Sequence, residues 1–414
     1  MISMSNNPID QGARIVVIGA GQAGFTACAK LRELGHPGPI TLIGEEAHPP
    51  YQRPPLSKGY LLGEMTEDRL YFRPINFYQE RSIDLRLSER VGFIDRVSKV
   101  VGLSNGSTVP YDRLILTTGA RPRSLPAEIG GDLEGVFYVR NLADINSMAH
   151  HFRPGQHVLI VGGGYVGLEA AAVSAKLGLE VTLIEASQRI LQRVACPQTS
   201  AYFRNLHGKE GVVLCEDTGL KRLSGEDGHV RSAELADNSV LPIDFVIVGI
   251  GVVPNVELAE AAGLTIDNGI AVDEDCRTSD PDIYAAGDCA SFPWRSRRIR
   301  LESVGNAIEQ AESVAKALMG QSSGYEAKPW FWSDQFDVKL QIAGYSQGYD
   351  NVATRKSVGD GVSYWYYRGG DLLAVDAMND PRVYMVAKRL IEAGTSPDPT
   401  VVSDPATDVK SLLP

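Results

Sequence analysis

Arg14-Ile15-Val16-Val17-Ile18-Gly19-Ala20-Gly21-Gln22-Ala23-Gly24 is a short β-branched apolar run that breaks into a three-glycine turn. Such a run suits a parallel strand buried on both faces. Beyond Gly24 the pattern is helical to Leu34-Gly35, and a second apolar strand, Ile40 to Ile43, ends at Gly44-Glu45-Glu46. The chain then repeats itself. Val158-Leu159-Ile160-Val161-Gly162-Gly163-Gly164-Tyr165-Val166-Gly167 leads through a helical stretch to Leu177-Gly178, then Val181-Thr182-Leu183-Ile184-Glu185. The loop glycines are offset by 162 − 19 = 143 and the helix-ending glycines by 178 − 35 = 143. In this pattern the first glycine permits the tight turn, the second lets backbone approach a pyrophosphate, and the third lets helix and strand pack closely. The phosphates then meet the positive end of the helix. An acid closing the second strand is placed for ribose hydroxyls, and it follows the last glycine by 45 − 24 = 21 and 185 − 167 = 18 residues. The repeat predicts an α/β chain with two Rossmann-like dinucleotide-binding folds.

Further out, Leu114 to Pro122 and Phe245 to Pro254 are both apolar strands ending in a glycine turn with a proline three residues later. Turns of this kind also sit where a chain crosses between nucleotide domains. At 414 residues, 43% hydrophobic and 22% charged, the chain exceeds one core and is too apolar for disorder. Glycine, 42 of 414, exceeds the usual share of about 7%. The net charge of −11 argues against a nucleic-acid binder and against adsorption to anionic membrane. The start, Met1 to Gly12, has no basic segment leading into an apolar one, so no secretory signal is expected. The longest apolar stretch, Phe245 to Val253, is far short of the roughly twenty residues of a membrane helix. Five cysteines, none in a C-x-x-C pair, give no support for a disulfide framework, zinc site or iron–sulfur cluster. No metal site is predicted, and a reducing, cytoplasmic setting is.

With these motifs in hand, the sequence resembles the two-dinucleotide flavoprotein reductases of the glutathione-reductase fold. Within that family it resembles the NADH-dependent ferredoxin reductases of the putidaredoxin-reductase and rhodocoxin-reductase type. The likeness runs over nearly the whole chain. It is carried by the two glycine loops, Arg53-Pro54-Pro55-Leu56-Ser57-Lys58, Thr118-Gly119-Ala120-Arg121-Pro122, Thr278-Ser279-Asp280-Pro281 with Ala286-Gly287-Asp288, and Pro329-Trp330-Phe331-Trp332-Ser333-Asp334. It implies an FAD-binding domain from residues 1–121 and 251–324, an NAD-binding domain from 122–250, and a small α+β interface domain from 325–414. The FAD set it implies is Gly19, Gly21, Gln22, Ala23, Gly24, Glu45, Arg53, Lys58, Val91, Thr118, Gly119, Arg140, Gly287, Asp288, Val304 and Trp332. The NAD set is Gly162, Gly164, Tyr165, Val166, Gly167, Glu169, Glu185, Arg193, Gly251 and Glu302. Four of these are implied to be catalytic. Lys58 would stand by the flavin N5, paired with Glu169, and Tyr165 would cover the flavin until nicotinamide displaces it. Trp332 would mark the electron exit. The bland readings are a surface lysine, a packing tyrosine and core tryptophans at 330 and 332. Glu185 followed by Ala186-Ser187-Gln188 predicts NADH over NADPH, because a carboxylate repels a 2′-phosphate. Arg189 and Arg193 are the exceptions nearby.

Disulfide reductases on this scaffold need a reactive cysteine pair. Cys28 sits alone in the first helix and Cys196 has no neighbour in sequence, so no dithiol relay is expected. The implied acceptor is a 2Fe-2S ferredoxin, bound transiently and partly by charge, by a protein that is a monomer or weak dimer. Arg295, Arg297, Arg298 and Arg300 make a basic run that reads equally as a docking patch or a solvated loop. Glu312 stands where a basic residue is expected of a relative. The preferred reading is a ferredoxin reductase feeding a haem-thiolate monooxygenase. The alternatives are the reductase of a ring-hydroxylating dioxygenase and, more remotely, an NADH-responsive flavoprotein similar to apoptosis-inducing factor. In the last 90 residues, Val338–Ala343, Val362–Tyr367 and Leu372–Val375 predict a small antiparallel sheet with a turn at Gly369-Gly370, followed by a helix from Arg382 to Ile391.

Overall fold

The computed structural model describes residues 10, 12–322, 324–357 and 359–414. The N-terminal stretch on which the signal expectation rests lies almost entirely outside them. The chain divides into two compact units. The first is Met1–Gln52, Glu67–Arg121 and Val253–Pro329; the second is Arg53–Thr66, Pro122–Val252 and Trp330–Pro414.

In the first unit five parallel strands run in the order Ile283–Ala285, Arg113–Leu116, Ile15–Ile18, Ile40–Ile43, Ile83–Arg86. The central Ile15–Ile18 strand is buried at every position. This is why it is all β-branched: with strands on both sides and both faces packed into the core, no position meets water. The helix Gln22–Glu33 rises from its end and packs against the helix Val304–Leu318. Cys28 is the small buried residue between them and the sheet.

The second unit repeats the plan. Its parallel sheet runs Val213–Cys215, Glu180–Ile184, His157–Val161, Phe245–Val248, Val136–Tyr138, and the helix Tyr165–Lys176 leaves the central strand. The correspondence reaches single torsions, with φ +111° at Gly19 and +108° at Gly162. At both, that left-handed backbone excludes a side chain without strain.

A second sheet in this unit is antiparallel, in the order Trp330–Gln335, Val338–Gly344, Asp371–Met378, Val362–Arg368, Asn351–Lys356. The helix Pro381–Glu392 lies on it, started by Pro381 in the first turn and by Asp380, whose Oδ1 accepts from the Val383 amide at 3.1 Å. Trp365, Val375, Val383, Ala387 and Leu390 form the core between them. The three inner strands and the Gly369-Gly370 turn lie where the sequence places them. The two edge strands, Trp330–Gln335 and Asn351–Lys356, are additions to that reading. Among the described residues no helix is long and apolar enough to cross a membrane.

Candidate functional site

In the first unit the glycine loop is built by close packing. A Cβ on Gly24 would lie 2.0 Å from the Gly19 carbonyl oxygen, and Thr117 Oγ1 donates to that same oxygen at 2.9 Å. Over Gly21 a Cβ would meet no protein atom within 4 Å. Gly21 begins the helix without a side-chain cap, and the first turn, with Gln22 and Ala23, holds no acid. The first amides and the positive end of the helix dipole are therefore offered outward over an open floor. That cradle fits a pyrophosphate. Glu45 is largely exposed, its Oε1 3.8 Å from Arg90 Nη1 beside the start of the strand Val91–Asp95. Thr118 Oγ1 donates to the Asn255 carbonyl at 2.7 Å, and Asn255 Nδ2 returns a bond to the Thr118 carbonyl. The Asn255 amide donates to the Gly119 carbonyl. The Gly287 amide is held by Gln310 Oε1 at 2.8 Å, and the Asp288 carbonyl accepts from Arg300. Val304 starts its helix behind the cap Ser303, whose Oγ accepts from Asn306. Glu302 belongs to this unit, paired with Arg300.

The second loop fits the same group by the same means. A Cβ on Gly167 would lie 2.0 Å from the Gly162 carbonyl, and Gly164 has open space above it and no side-chain cap. Here the acid turns back. Glu185 Oε2 accepts from the Gly163 amide and Oε1 from the Ser187 amide, both at 2.7 Å. Arg189 is committed to Ser200 Oγ and the Gln192 carbonyl. Arg193 stands 3.5 Å from where a Gly251 side chain would begin. Val166 is exposed on the first turn.

The same unit brings together most of the predicted catalytic side chains. Lys58 sits in an irregular turn, Leu56–Tyr60, and its Nζ lies 2.8 Å from Glu169 Oε2. Ser57 Oγ also donates to Oε2, at 3.2 Å, and Ser333 Oγ to Oε1, at 2.7 Å. Glu169 is only 5% exposed. Arg53 Nη1 donates to the Arg140 carbonyl at 2.8 Å. The Tyr165 ring packs on Phe331, centroids 4.9 Å apart, and its phenol oxygen is buried without a hydrogen-bond partner. Burial, with Asp376 and Cys196 nearby, pushes that phenol well above its ordinary range. Trp332 stacks on Trp330 at 5.5 Å, and Lys388 Nζ lies 5.4 Å over the Trp330 ring.

Three participants carry little sequence signal. Ser57 and Ser333 stand inside quoted motifs but beside louder residues. Asp376 is the acid in the interior of a strand that is otherwise apolar beyond its exposed first residue, Asp371, which is the mark of a buried charge. Its Oδ2 accepts from Thr199 Oγ1 at 2.6 Å and from the Tyr366 phenol. Burial pushes its carboxyl up to about 6 despite those bonds.

Four of the five thiols are sealed. All five cysteines are free, four are buried, and burial pushes Cys28 up to about 12. A thiol so placed is neither exposed nor ionised, so it has no nucleophilic form to offer. The basic run is only partly available. Arg298 donates to the Val272 and Ser291 carbonyls and Arg300 to Asn268 and Asp288, while Arg295 and Arg297 flank the Trp294 ring at 4.5 and 5.5 Å. Among the described residues no group of three His, Cys, Asp or Glu side chains could hold a metal.

Residues 13–311 match the pyridine nucleotide-disulphide oxidoreductase family, and residues 330–413 match the reductase C-terminal family. The chain is 42% identical to rhodocoxin reductase of Rhodococcus erythropolis over 402 residues, 96% of this chain and 94% of that one. It superposes with a TM-score of 0.94 on the reductase of a covalent putidaredoxin reductase–putidaredoxin complex, at 38% identity, covering 97% and 98% of the two chains. The ferredoxin reductase for the CYP199A2 system from Rhodopseudomonas palustris gives 0.94 and 38%, covering 97% and 100%.

Proposed function

Because the chain belongs to the pyridine nucleotide-disulphide oxidoreductase family, we propose that it is an FAD-dependent reductase that draws on NADH and delivers electrons to a 2Fe-2S ferredoxin. The observation that carries this reading is the pair of open-floored glycine cradles in a chain with no C-x-x-C pair and four of its five cysteines buried. A bound flavin supplies the conversion of a two-electron donor into single electrons, a property of the cofactor itself. The chain's own residues do the rest. The first cradle and Asp288 hold FAD, and the second cradle with Glu185 holds NADH. Glu185, already turned onto its own loop, would repel a 2′-phosphate, and Arg189 is engaged elsewhere. Lys58 and Glu169 position the reacting rings, Tyr165 covers the hydride face, and Trp332 marks the exit. The division into FAD, NAD and C-terminal interface domains is part of this proposal. That the ferredoxin serves a haem-thiolate monooxygenase draws support from the likeness to the reductase of the CYP199A2 system. Service to a ring-hydroxylating dioxygenase is the second outcome.

Anaerobic titration of the purified protein with NADH, followed by turnover against a panel of 2Fe-2S ferredoxins, tests the reading. Expected are a yellow protein bleached by about one equivalent of NADH and turnover that survives thiol capping. A colourless protein that cannot be reconstituted, or activity lost on capping, overturns it. Slow reduction without ferredoxin turnover would favour the NADH-responsive flavoprotein instead. Trp332→Ala should slow delivery to ferredoxin about tenfold or more while reduction by NADH stays within about twofold. Equal losses in both half-reactions would remove the exit role.

A further inference from the structure

The Lys58–Glu169 pair continues inward. Ser333 Oγ, which donates to Glu169 Oε1, itself lies 3.1 Å from Gln335 Nε2, and Gln335 Oε1 lies 2.9 Å from His207 Nε2. Ser333, Gln335 and His207 are all fully buried. Ser333 and Gln335 are two apart on the edge strand Trp330–Gln335 and so project from the same face. His207 comes from the helix Pro197–Lys209.

The direction of each bond follows from the chemistry of the groups. An ionised carboxylate only accepts, so Ser333 donates to it. Its oxygen then accepts from the Gln335 amide nitrogen. This leaves the Gln335 carbonyl facing His207, so the imidazole carries its proton on Nε2. His207 Nδ1 is buried without a partner, which suits a bare lone pair better than an orphaned N–H. Burial lowers the affinity of this ring for a second proton, and the Gln335 bond only partly opposes it. All the hydrogen bonds therefore run one way, from His207 to Glu169.

We propose that Ser333, backed by Gln335 and His207, is a positioning residue for the Lys58–Glu169 pair, so that the C-terminal sheet fixes the orientation of the Glu169 carboxylate toward the lysine. The functional consequence rests on the reading that this pair serves the flavin. Among the described residues Ser333 is the donor to Oε1, whereas Lys58 and Ser57 both act on Oε2. While Oε1 is held, the carboxylate cannot rotate without losing a charge-assisted bond, and Lys58 Nζ keeps its place.

Stopped-flow reduction of the purified flavoprotein by NADH reads the pair, and ¹⁵N NMR of the His207 ring reads the chain independently of turnover. Ser333→Ala should lower the limiting reduction rate about tenfold, the scale of one lost hydrogen bond to a charged group, with the half-saturating NADH concentration changed less than about twofold. Ser333→Thr keeps the hydroxyl and should restore the rate. The wild-type His207 ring, identified by its loss in His207→Asn, should be the neutral Nε2–H form at pH 7. An unchanged limiting rate in Ser333→Ala, an equal loss in Ser333→Thr, or an Nδ1–H or doubly protonated His207 would each overturn the proposal. A wild-type protein that NADH does not bleach would instead sink the functional reading, and the ¹⁵N spectra would still decide the direction of the chain.

Discussion

The two glycine loops are near-copies in backbone and opposites in what surrounds them. In each, a Cβ on the third glycine would stand 2.0 Å from the first glycine's carbonyl oxygen, and each leaves its helix start uncapped under open space. Around the first loop the helix begins Gln22-Ala23, and the strand-ending Glu45 stands in solvent. Around the second the helix begins with Tyr165 and is buried continuously from Gly167 to Ser174, and Glu185 is folded back onto Gly163. Behind that helix the antiparallel sheet presents Phe331 and Ser333 to Tyr165 and Glu169. The repeat thus supplies two holders of the same kind, and the second is the one surrounded by a buried ion pair and packed aromatic rings. Pyrophosphate binding needs only glycine and a helix start, whereas chemistry needs side chains fixed from more than one direction.

Five substitutions can break or sharpen this contrast. The largest effect is expected from Gly24→Val, whose side chain would be driven into the Gly19 carbonyl with only backbone to yield. The purified protein should retain less than about a tenth of its flavin, since overpacking of this kind costs on the order of 1–3 kcal/mol or more. Absorbance at 450 nm against total protein checks it. Next come Gly21→Ala and Gly164→Ala, which collide with nothing in the chain and intrude only where backbone meets ligand. The first should weaken FAD retention and leave no defect specific to NADH. The second should keep the flavin and raise the Michaelis constant for NADH about tenfold, as expected of lost uniform binding. A reversed pattern would mean the two holders have been exchanged. Glu185→Ala should raise the same constant by several-fold with flavin content unchanged.

The smallest effect on turnover is expected from Asp376→Asn. The native carboxyl is pushed up to about 6 by burial, from an ordinary value of 3.8. Between those values the folded protein binds the proton and the unfolded chain does not, so stability falls as pH rises. The contribution is complete below about pH 4 and is lost through pH 6, by on the order of 3 kcal/mol. The asparagine variant should therefore melt higher than wild type at pH 8, with the gap closing toward pH 4. Differential scanning calorimetry across that range tests it, and a gap that widens on acidification would contradict it.

Both parallel sheets were legible because strands buried on two faces leave unbroken β-branched runs ending in glycine. The inner strands of the antiparallel sheet were legible for a similar reason. Its edges were not. Trp330-Phe331-Trp332 has no alternation to follow. Asn351–Lys356 alternates, but its inward positions are Ala353 and Arg355, and the buried Arg355 guanidinium is consumed by the carbonyls of Val402, Asp404 and Thr407. The family resemblance paired Lys58 with Glu169, and the two lie 2.8 Å apart. The hydroxyls that orient Glu169 were invisible, because a serine in a strand looks the same whether it meets water or a carboxylate.

The phenol of Tyr165 has a further consequence. An O–H buried without an acceptor forgoes about 1–3 kcal/mol relative to one in water. Turning that ring off Phe331 would therefore cost stacking contact and no hydrogen bond, a smaller cost than a phenol with an acceptor would incur.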